Sequence, residues 1–584
     1  MFDAATGREF RVALHALITW PSRTSGAGAR GEGVARSMTC QATGGGGGCR
    51  LRPARTDGRP LLRRLGATPG RVLYFLVPLL AACRGDGGAP VSADEGTFLI
   101  QDATIVDGTR RAAFTGSVRV VGGTIAEVTP HGADETPSSP DADRIYDASG
   151  LVLAPGFVDT HSHHDGGLLI EPTALAAVSQ GITTIVVGQD GGSPFPIADF
   201  FAALEATPAA VNVASYAGHG TLRRQIMGGD FRREATAHEV AAMQALLETE
   251  LASGALGLST GLEYDPGIYS TTDEVVALAG TAATRGGRYI SHMRSEDRGL
   301  REAIEETIEI AERARLPVQI SHFKLAARSL WGQAAEILAR LDSARAEGLD
   351  VTADVYPYEY WQSTMTVLFP ERDFTDREAA RFALEELVAP EGMLIGRFEP
   401  DPALEGKTLA EIAQERGTDP VTTYLDLIAE SQAARAEGRD GGESIVATSM
   451  TVDDIAALMA WPHANVASDG GLRGAHPRGF GTYPRVLGRY VREEARLTLE
   501  EAVHKMTGLA AAHMGLSGRG TLEVGAAADL VLFDPETIID RATTAEPHLT
   551  SIGIARVWVG GTVVYEDGAV TGAQPGVVLH REQP

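Results

Sequence analysis

The chain has 584 residues, of which 43% are apolar and 22% charged, a composition typical of a soluble globular protein. Its formal net charge is −26, which argues against nucleic acid as a partner because phosphate binding requires clustered Lys and Arg. The cysteines are Cys40, Cys49 and Cys83, so the rest of the chain offers neither a disulfide framework nor a thiol nucleophile.

The N-terminal region has the features of a bacterial lipoprotein leader. A basic flank precedes the apolar stretch Val72–Leu80, which is too short to span a bilayer, and small residues then lead to Cys83. We predict that residues 1–95 comprise a signal and lipobox region with a disordered leader. Acylation of Cys83 would then anchor the protein in the bacterial cell envelope. The alternative is a short buried helix with a core cysteine in a cytoplasmic protein.

Both ends of the remaining chain have the pattern of β-structure. From Gly96 to Val128, and again in "AADLVLFDP" and "IARVWVGGTVVYEDG", short apolar runs are separated by tight-turn residues such as Gly-Gly and Asp-Gly. We therefore predict one small β-sandwich domain built from both ends of the chain, residues 96–153 and 516–584.

The middle of the chain, residues 154–515, has a different pattern of predicted secondary structure. Apolar strand-like runs such as "GITTIVVGQD" and "LPVQISHFK" alternate with helix-like stretches such as "LREAIEETIEIAERAR". Repeated strand–helix units predict a parallel sheet, and their number favours an α/β fold of the (β/α)8 TIM-barrel type. This alternation of strands and helices stops at about 370–448, where we predict a helix-rich insertion at the catalytic end of the barrel.

The first candidate for chemistry is the segment "VDTHSHHD", which follows an apolar run. Alternate residues of a strand point to the same side, so His161 and His163 are expected to project together while His164 faces away. Two neighbouring imidazoles at the end of an inner strand can hold one divalent cation. For this motif taken alone, the alternative to a metal site is a pair of histidines on the protein surface.

Similar residues close other strand-like runs further along the chain. His292 ends the strand in "ISHMR", His322 ends the strand in "ISHFK", and Asp469 follows "HANV". Because the carboxyl ends of barrel strands meet at one face, these side chains are expected to converge with the first two histidines. The pattern therefore predicts a metal centre.

These motifs identify the chain as similar to the amidohydrolase superfamily, and within it to the D-aminoacylase / N-acyl-D-amino-acid deacylase family. The resemblance covers nearly all of residues 96–575. The motifs that carry it are "GFVDTHSHHD", "GITTIVVG", "GHGTLR", "GALGLSTGLEYDPG", "SHMRSE", "ISHFK", "DVYPY", "SDG" and "HPRGFGTYPRVLGRYVRE".

The resemblance implies a metal centre of one or two Zn²⁺ ions. It implies ligation by four histidines and one carboxylate: His161, His163, His292, His322 and Asp190. The family usually has a cysteine ligand in Asn-Cys-Gly after the second strand, where this chain has Gln189-Asp190-Gly191. An aspartate is a chemically competent substitute able to bridge two cations. The alternative is that Asp190 is only a turn residue.

The resemblance also implies the catalytic and substrate-binding groups. Asp469 would act as general base and then general acid. The α-carboxylate of the substrate would be held by Arg478, Lys324 and Tyr356. Ser363 and His219 match family positions less well, and a structural role for His219 is an equal alternative.

The expected function is metal-dependent hydrolysis of N-acyl-D-amino acids to a carboxylate and a free D-amino acid. The expected partner is a small N-acylated amino acid, and the oligomeric state is left open. One alternative within the same superfamily is a dipeptidase acting on C-terminal D-residues, and another is a cyclic amidase. The third alternative is a lipoprotein that binds a ligand without catalysing a reaction.

Overall fold

The computed structural model describes residues 96–131 and 142–581. The predicted leader and its lipobox residue Cys83 lie outside the described residues. Within these two ranges, no helix combines the length and the apolar character needed to cross a bilayer.

The described residues form strands at both ends of the chain and alternate strands and helices between them. The strands are β1 (Thr97–Ile105), β2 (Phe114–Val121), β3 (Thr124–Pro130), β4 (Arg144–Asp147), β5 (Val152–Pro155), β6 (Phe157–Asp159), β7 (Ile182–Val187), β8 (Asn212–Ser215), β9 (Ala217–Gly218), β10 (Gly257–Gly261), β11 (Arg288–His292), β12 (Val318–Ile320), β13 (Val351–Val355), β14 (Tyr360–Ser363), β15 (Met393–Phe398), β16 (Glu443–Thr448), β17 (Ala464–Val466), β18 (Leu530–Phe533), β19 (Ile554–Val559), β20 (Thr562–Glu566) and β21 (Ala569–Val570). The helices are α1 (Leu175–Val178), α2 (Ile197–Ala206), α3 (His219–Met227), α4 (Ala237–Ala252), α5 (Thr272–Thr284), α6 (Leu300–Ala314), α7 (Ala334–Ala346), α8 (Arg377–Phe382), α9 (Leu409–Arg416), α10 (Pro420–Ala436), α11 (Val452–Ala460), α12 (Arg478–Arg485), α13 (Leu499–Met506) and α14 (Gly508–Met514).

The β-domain is assembled from both ends of the chain, as predicted. Its nine strands are ordered β21-β20-β19-β18-β5-β1-β2-β3, with β4 also paired to β1. The sheet curls back on itself, because Ile125 N–H donates to the Ala526 carbonyl and Ala528 N–H donates to the Gly123 carbonyl. The buried Trp558 stacks on Phe98 within the enclosed core, with ring centroids 6.0 Å apart.

The barrel prediction is confirmed, and eight parallel strands close into a ring. One sheet is ordered β6-β7-β8 and the other is β17-β13-β12-β11-β10-β9, with β8 and β9 forming one strand interrupted at Tyr216. The ring closes between β6 and β17, where Ser162 bridges Gly470 and the Asp469 N–H donates to the His161 carbonyl at 2.9 Å. Strand β7 is buried along its whole length, as expected for a parallel sheet covered on both faces.

Each barrel strand leads into at least one helix whose apolar face covers the sheet. In α6, Ile304, Ile308 and Ala311 are buried at helical spacing, while Glu305 and Glu309 on the opposite face are exposed. Helix α4 begins at a capping box, in which Thr236 and Glu239 satisfy each other's backbone amides.

A segment between β13 and β17 departs from the strand–helix alternation. Strands β14, β16 and β15 form a separate antiparallel sheet, accompanied by α8, α9 and α10. The chain then returns through α11 to the last barrel strand, β17.

Candidate active site

The sequence-predicted metal ligands come together at the carboxyl ends of the barrel strands. Their ligand atoms form two overlapping groups, within each of which all atoms lie within 4.8 Å of one another. The first cation cluster consists of His161, His163, Asp190 and Asp469. The second cation cluster consists of Asp190, His292 and His322.

Asp190 belongs to both clusters. Its Oδ1 lies 3.5 Å from His161 Nε2 and 3.4 Å from His322 Nε2, and its Oδ2 lies 3.4 Å from His163 Nε2. Because Oδ1 lies between imidazoles of both clusters and Oδ2 faces His163, this carboxylate is suited to bridge two cations.

Three of the clustered residues have a left-handed backbone. The φ angle is 52° at Asp190, 34° at His322 and 48° at Asp469, a region that non-glycine residues adopt at a cost of about 1–3 kcal/mol each. Buried contacts hold two of these conformations: the His322 N–H donates to Asp354 Oδ1 at 2.6 Å, and the Asp469 N–H donates to the His161 carbonyl. Strained residues commonly mark functional sites, and here they share one site.

The unsatisfied polar atoms of the site fit a divalent cation. Both ring nitrogens of the buried His161 and Oδ1 of Asp190 lack a hydrogen-bond partner within the described residues. Buried polar atoms normally have a partner, so these atoms call for a ligand. A donor set of imidazole nitrogens and carboxylate oxygens suits Zn²⁺ and related divalent metals.

The electrostatics of the clusters also favour a cation. Burial alone would raise the pKa of Asp190, but the charges of His161 and His322 hold it well below its usual value. Burial would lower the pKa of His163, yet hydrogen bonds to Asp190 and Asp469 raise it well above its usual value. The carboxylates thus stabilise positive charge at the centre of the site.

Two further carboxylates, Glu263 and Glu296, orient the imidazoles of the second cation cluster. Glu263 Oε2 lies 2.9 Å from His292 Nε2, which leaves His292 Nδ1 facing His322 Nε2 at 3.0 Å. Glu296 Oε1 lies 2.9 Å from His322 Nδ1. In metal sites, such outer carboxylates fix the tautomer and the direction of a ligating histidine.

The predicted catalytic carboxylate, Asp469, lies between the metal-type ligands and Arg478. Its Oδ1 is 3.1 Å from His163 Nε2, and its Oδ2 is 2.7 Å from Arg478 Nη1. Burial opposes ionisation, but the charges of Arg478 and His322 outweigh it and keep the pKa of Asp469 below its usual range. The group is therefore an ionised carboxylate in the free site.

The predicted carboxylate-binding residues lie beside Asp469. The Arg478 guanidinium is 4.9 Å from the centre of the Tyr356 ring, and Lys324 Nζ is 5.8 Å from the same ring. Tyr356 Oη is buried and has no hydrogen-bond partner within the described residues. Lys324 is already engaged, since its Nζ lies 2.6 Å from Glu296 Oε1 and 2.8 Å from His322 Nδ1.

Two cavities meet at Asp469. The inner pocket has a volume of about 40 Å³ and contains Arg478, Lys324 and Tyr356. Its apolar wall comes from the segment between β13 and β17: Trp361, Val367, Leu368 and Leu387. The outer cleft is open, has a volume of about 760 Å³ and is lined by His163 and Asp190, by the loops that follow β7 and β10, and by residues of α3.

Comparison with known proteins defines the family. A model described as "Amidohydrolase family" matches residues 144–565, which is most of the chain. The chain belongs to the amidohydrolase family. The D-aminoacylase of Alcaligenes xylosoxydans xylosoxydans is 36% identical over 509 residues, which cover 83% of this chain and 97% of that protein. The N-acyl-D-aspartate deacylase of the same organism is 38% identical over 518 residues, which cover 84% of this chain and 96% of that protein.

Solved structures agree with the amidohydrolase assignment. A crystal structure of D-aminoacylase superposes with a TM-score of 0.73 at 36% identity, covering 83% of this chain and 99% of that chain. The N-acyl-D-glutamate deacylase of Bordetella bronchiseptica, solved with zinc and a phosphonate inhibitor, gives a TM-score of 0.72 at 35% identity and covers 83% of this chain and all of that chain.

Other histidines of this amidohydrolase lie outside the two cation clusters. His219 Nε2 lies 2.8 Å from Glu274 Oε1, and Glu274 also accepts hydrogen bonds from the buried Arg223. This contact gives His219 a buried partner outside the two cation clusters. His164 is buried and belongs to neither cluster, and burial lowers its pKa to about 4.

Two functional residues of the amidohydrolase site, Glu263 and Glu296, are not among the sequence-predicted residues. Each lies in a motif that carries the family resemblance, Glu263 in "GLEYDPG" and Glu296 in "SHMRSE". Each follows a histidine-bearing or glycine-rich strand end, which is the signal that could have drawn attention to them. Ser363, by contrast, is an expected residue that lines the inner pocket, 3.5 Å from Tyr264 Oη.

Proposed function

We propose that this amidohydrolase hydrolyses the amide bond of N-acyl-D-amino acids and releases a carboxylate and a free D-amino acid. The observation that carries the proposal is the position of Asp469, which contacts the imidazoles of the first cation cluster on one side and Arg478 on the other. A substrate carboxylate bound by Arg478 would thereby lie beside the catalytic centre. The names of the relatives support the amide bond and the D configuration.

The enzyme uses zinc, and the residues that would hold it are His161, His163, Asp190, His292 and His322. Zinc held by these residues would supply a Lewis acid, which lowers the pKa of a bound water to about 7 and polarises the scissile carbonyl. Glu263 and Glu296 keep the ring nitrogens of His292 and His322 directed into the second cation cluster.

Asp469 moves the proton. As an ionised carboxylate it accepts a proton from the attacking water, and it then returns that proton to the departing amine nitrogen. Its Oδ2 is held by Arg478 while its Oδ1 faces His163, so the carboxylate is fixed between the substrate-binding arginine and the metal-type ligands. General acid–base catalysis of this kind contributes about 10²–10⁴-fold to the rate.

Arg478 and Tyr356 hold the α-carboxylate in the inner pocket. The guanidinium can form two parallel hydrogen bonds to a carboxylate, and the free phenol of Tyr356 can donate a further one. Lys324 adds a positive charge that Glu296 partly compensates. This anchoring fixes the amide next to Asp469, which lowers the entropic cost of reaching the transition state.

The arrangement of Lys324 disfavours the cyclic amidases of the superfamily. Those enzymes usually carry a carboxylated lysine that bridges the metals, whereas Lys324 Nζ donates a hydrogen bond to Glu296 Oε1 and lies 2.8 Å from the outer nitrogen of His322. Asp190 instead occupies the bridging position between the two clusters.

We also propose that Cys83 anchors the enzyme in the bacterial cell envelope, on the strength of the apolar stretch and small residues that precede it. The natively expressed protein should then fractionate with membranes and carry a lipid on Cys83. Mass spectrometry of its mature N-terminus tests this, and an unmodified soluble Cys83→Ser variant is the control. A wild-type protein with an unlipidated N-terminus upstream of Cys83 would contradict it.

The function is tested with matched N-acetyl-D- and N-acetyl-L-amino acids, zinc-loaded enzyme and metal analysis of the same sample. Zinc-dependent release of free D-amino acid, with the L series slower by at least about tenfold, is the expected result. Absence of amide hydrolysis in both series by zinc-loaded protein would show that the proposed function is wrong and would favour the binding-lipoprotein alternative.

A further inference from the structure

Arg478 lies where a glycine-rich loop enters α12. It is the first residue of that helix, and its backbone amide belongs to the first turn, whose N–H groups have no partner within a helix. Five glycines lie close to it in the sequence: Gly470, Gly471, Gly474, Gly479 and Gly481. Because glycine loses more conformational freedom on ordering than any other residue, the position of the guanidinium depends on contacts from outside the helix.

The buried side chain of His476 supplies such a contact. The Arg478 N–H donates to His476 Nδ1 at 3.0 Å. His476 Nε2 lies 2.8 Å from the Tyr360 carbonyl, which can only accept, so the ring proton is on Nε2 and Nδ1 acts as the acceptor. Burial and the charge of Arg478 hold the pKa of His476 well below its usual value, so the imidazole keeps this neutral form.

His476 also joins the loop to strand β14. Its backbone N–H donates to Gln362 Oε1 at 3.1 Å, so both Tyr360 and Gln362 of β14 hold this one residue. Strand β14 pairs with β16 in the separate antiparallel sheet between β13 and β17. His476 therefore connects Arg478 to a strand that does not belong to the barrel.

The His476 ring is packed among three tyrosine rings. Its centroid lies 4.7 Å from that of Tyr360, 5.2 Å from that of Tyr358 and 6.1 Å from that of Tyr356. Tyr356 is the second residue proposed to bind the substrate carboxylate, and the Arg478 guanidinium lies over its ring. The imidazole thus contacts both carboxylate-binding residues, while it lines neither the inner pocket nor the outer cleft.

We propose that His476 is a positioning residue, which places the Arg478 guanidinium through the hydrogen bond to the Arg478 backbone amide. This inference rests on the proposed function, because it takes Arg478 as the group that holds the substrate carboxylate. Since His476 does not reach the reacting atoms, its replacement should weaken recognition of the carboxylate and leave proton transfer at Asp469 in place.

Two amide variants separate the roles of the two ring nitrogens. The contact from Nδ1 to the Arg478 N–H spans two residues, the spacing of an Asx turn, which an asparagine side chain can form. His476→Asn therefore keeps an acceptor for the Arg478 amide and loses the donor to Tyr360. His476→Gln can reach the Tyr360 carbonyl, but its longer side chain carries the amide oxygen beyond the position of an Asx-turn acceptor.

The test measures the carboxylate preference, which is kcat/KM of the zinc-loaded enzyme on N-acetyl-D-leucine divided by kcat/KM on N-acetyl-D-leucinamide. We expect His476→Gln to lower this preference about fivefold, the effect of one hydrogen bond, and His476→Asn to stay within about twofold of the wild type. His463→Gln is the matched control, because it makes the same change at a half-buried histidine outside both cavities.

An Arg478→Met background shows whether the effect passes through the arginine. There, His476→Gln should leave the carboxylate preference unchanged, since no guanidinium remains to be placed. If His476→Gln does not fold, His476→Leu, which also lacks the acceptor, takes its place.

Three results would overturn the inference while the proposed function stands. They are an unchanged preference in His476→Gln, an equal fall in His476→Asn, and a further fall when His476→Gln is added to Arg478→Met. A wild-type enzyme that hydrolyses N-acetyl-D-leucine without any carboxylate preference would overturn the inference as well. Failure of the zinc-loaded wild type to hydrolyse either substrate would overturn the proposed function together with the inference.

Discussion

Glu296 joins the metal centre to the substrate-binding groups through one oxygen atom. Its Oε1 lies 2.9 Å from His322 Nδ1 and 2.6 Å from Lys324 Nζ. Burial alone would raise the pKa of Glu296, but the charges of His292 and Lys324 hold it below its usual range. One ionised carboxylate therefore contacts both the proposed metal ligand His322 and the proposed substrate-binding residue Lys324.

Replacing Glu296 should lower the affinity of the metal centre for zinc without changing the size of the side chain. In Glu296→Gln the side chain keeps its shape but loses the charge that holds the His322 ring, and we expect zinc affinity to fall about 10–100-fold. Chelator competition measures the affinity, and Glu302→Gln on the exposed face of α6 is the matched control. Wild-type zinc affinity in Glu296→Gln would show that Glu296 does not position the ligand.

Arg478 should make the enzyme prefer substrates that carry a free α-carboxylate over substrates that lack it. A hydrogen bond to a charged group contributes about 1.5–3 kcal/mol, so Arg478→Met should lower kcat/KM on N-acetyl-D-leucine by roughly 10–150-fold beyond its effect on N-acetyl-D-leucinamide, which lacks the carboxylate. The control is Arg473→Met, which removes an exposed arginine paired with Glu171. Equal losses on the two substrates would mean that Arg478 acts only through Asp469.

At the scale of elements, α14 is tied to the barrel by a partly buried polar contact. His513 Nδ1 lies 2.7 Å from Asn465 Oδ1 in β17. Burial, together with the positive charges of Arg288 and Arg345, lowers the pKa of His513 to about 3. The folded protein therefore keeps this imidazole neutral at pH values where the unfolded chain protonates it.

This contact predicts acid sensitivity. The stabilisation is complete above the unfolded pKa near 6.5 and is lost as the pH falls from 6.5 towards 3, by about 2–3 kcal/mol at pH 4.5. His513→Gln keeps a donor to Asn465 but does not titrate, so its urea midpoint should fall less than that of the wild type between pH 7 and pH 4.5. Equal falls in the two proteins would contradict the assignment.

Strand ends were predictable from the sequence because each is a short apolar run followed by a ligand-type residue. His292 and His322 are examples, since "RYISH" and "VQI" are buried strands whose next polar residues enter the site. Glu263 was not predictable in this way because its strand, β10, reads "GLSTG" and lacks an apolar run. Glu296 shares its loop with Asp297, and only packing determines which of the two carboxylates reaches His322.

At the scale of the whole molecule, closure of the barrel creates the site. Asp469 and His163 are 306 residues apart in sequence, yet β6 and β17 are neighbours, and the two side chains meet at 3.1 Å. The strand–helix repetition predicts this ring order, since parallel strands need helical crossovers. It does not predict the unequal cavities, because those depend on how the segment between β13 and β17 packs over the barrel.

Asp469 is central to the proposed reaction, because it contacts both the first cation cluster and Arg478. Asp469→Asn keeps an oxygen at this position and leaves the second cation cluster intact, so the protein should retain zinc while kcat on N-acetyl-D-leucine falls by about 10²–10⁴-fold. Asp453→Asn, which alters an exposed carboxylate of α11, is the control and should behave as the wild type. Turnover and zinc content measured on the same sample decide the matter: loss of turnover with zinc retained is predicted, and wild-type turnover in Asp469→Asn would contradict the account.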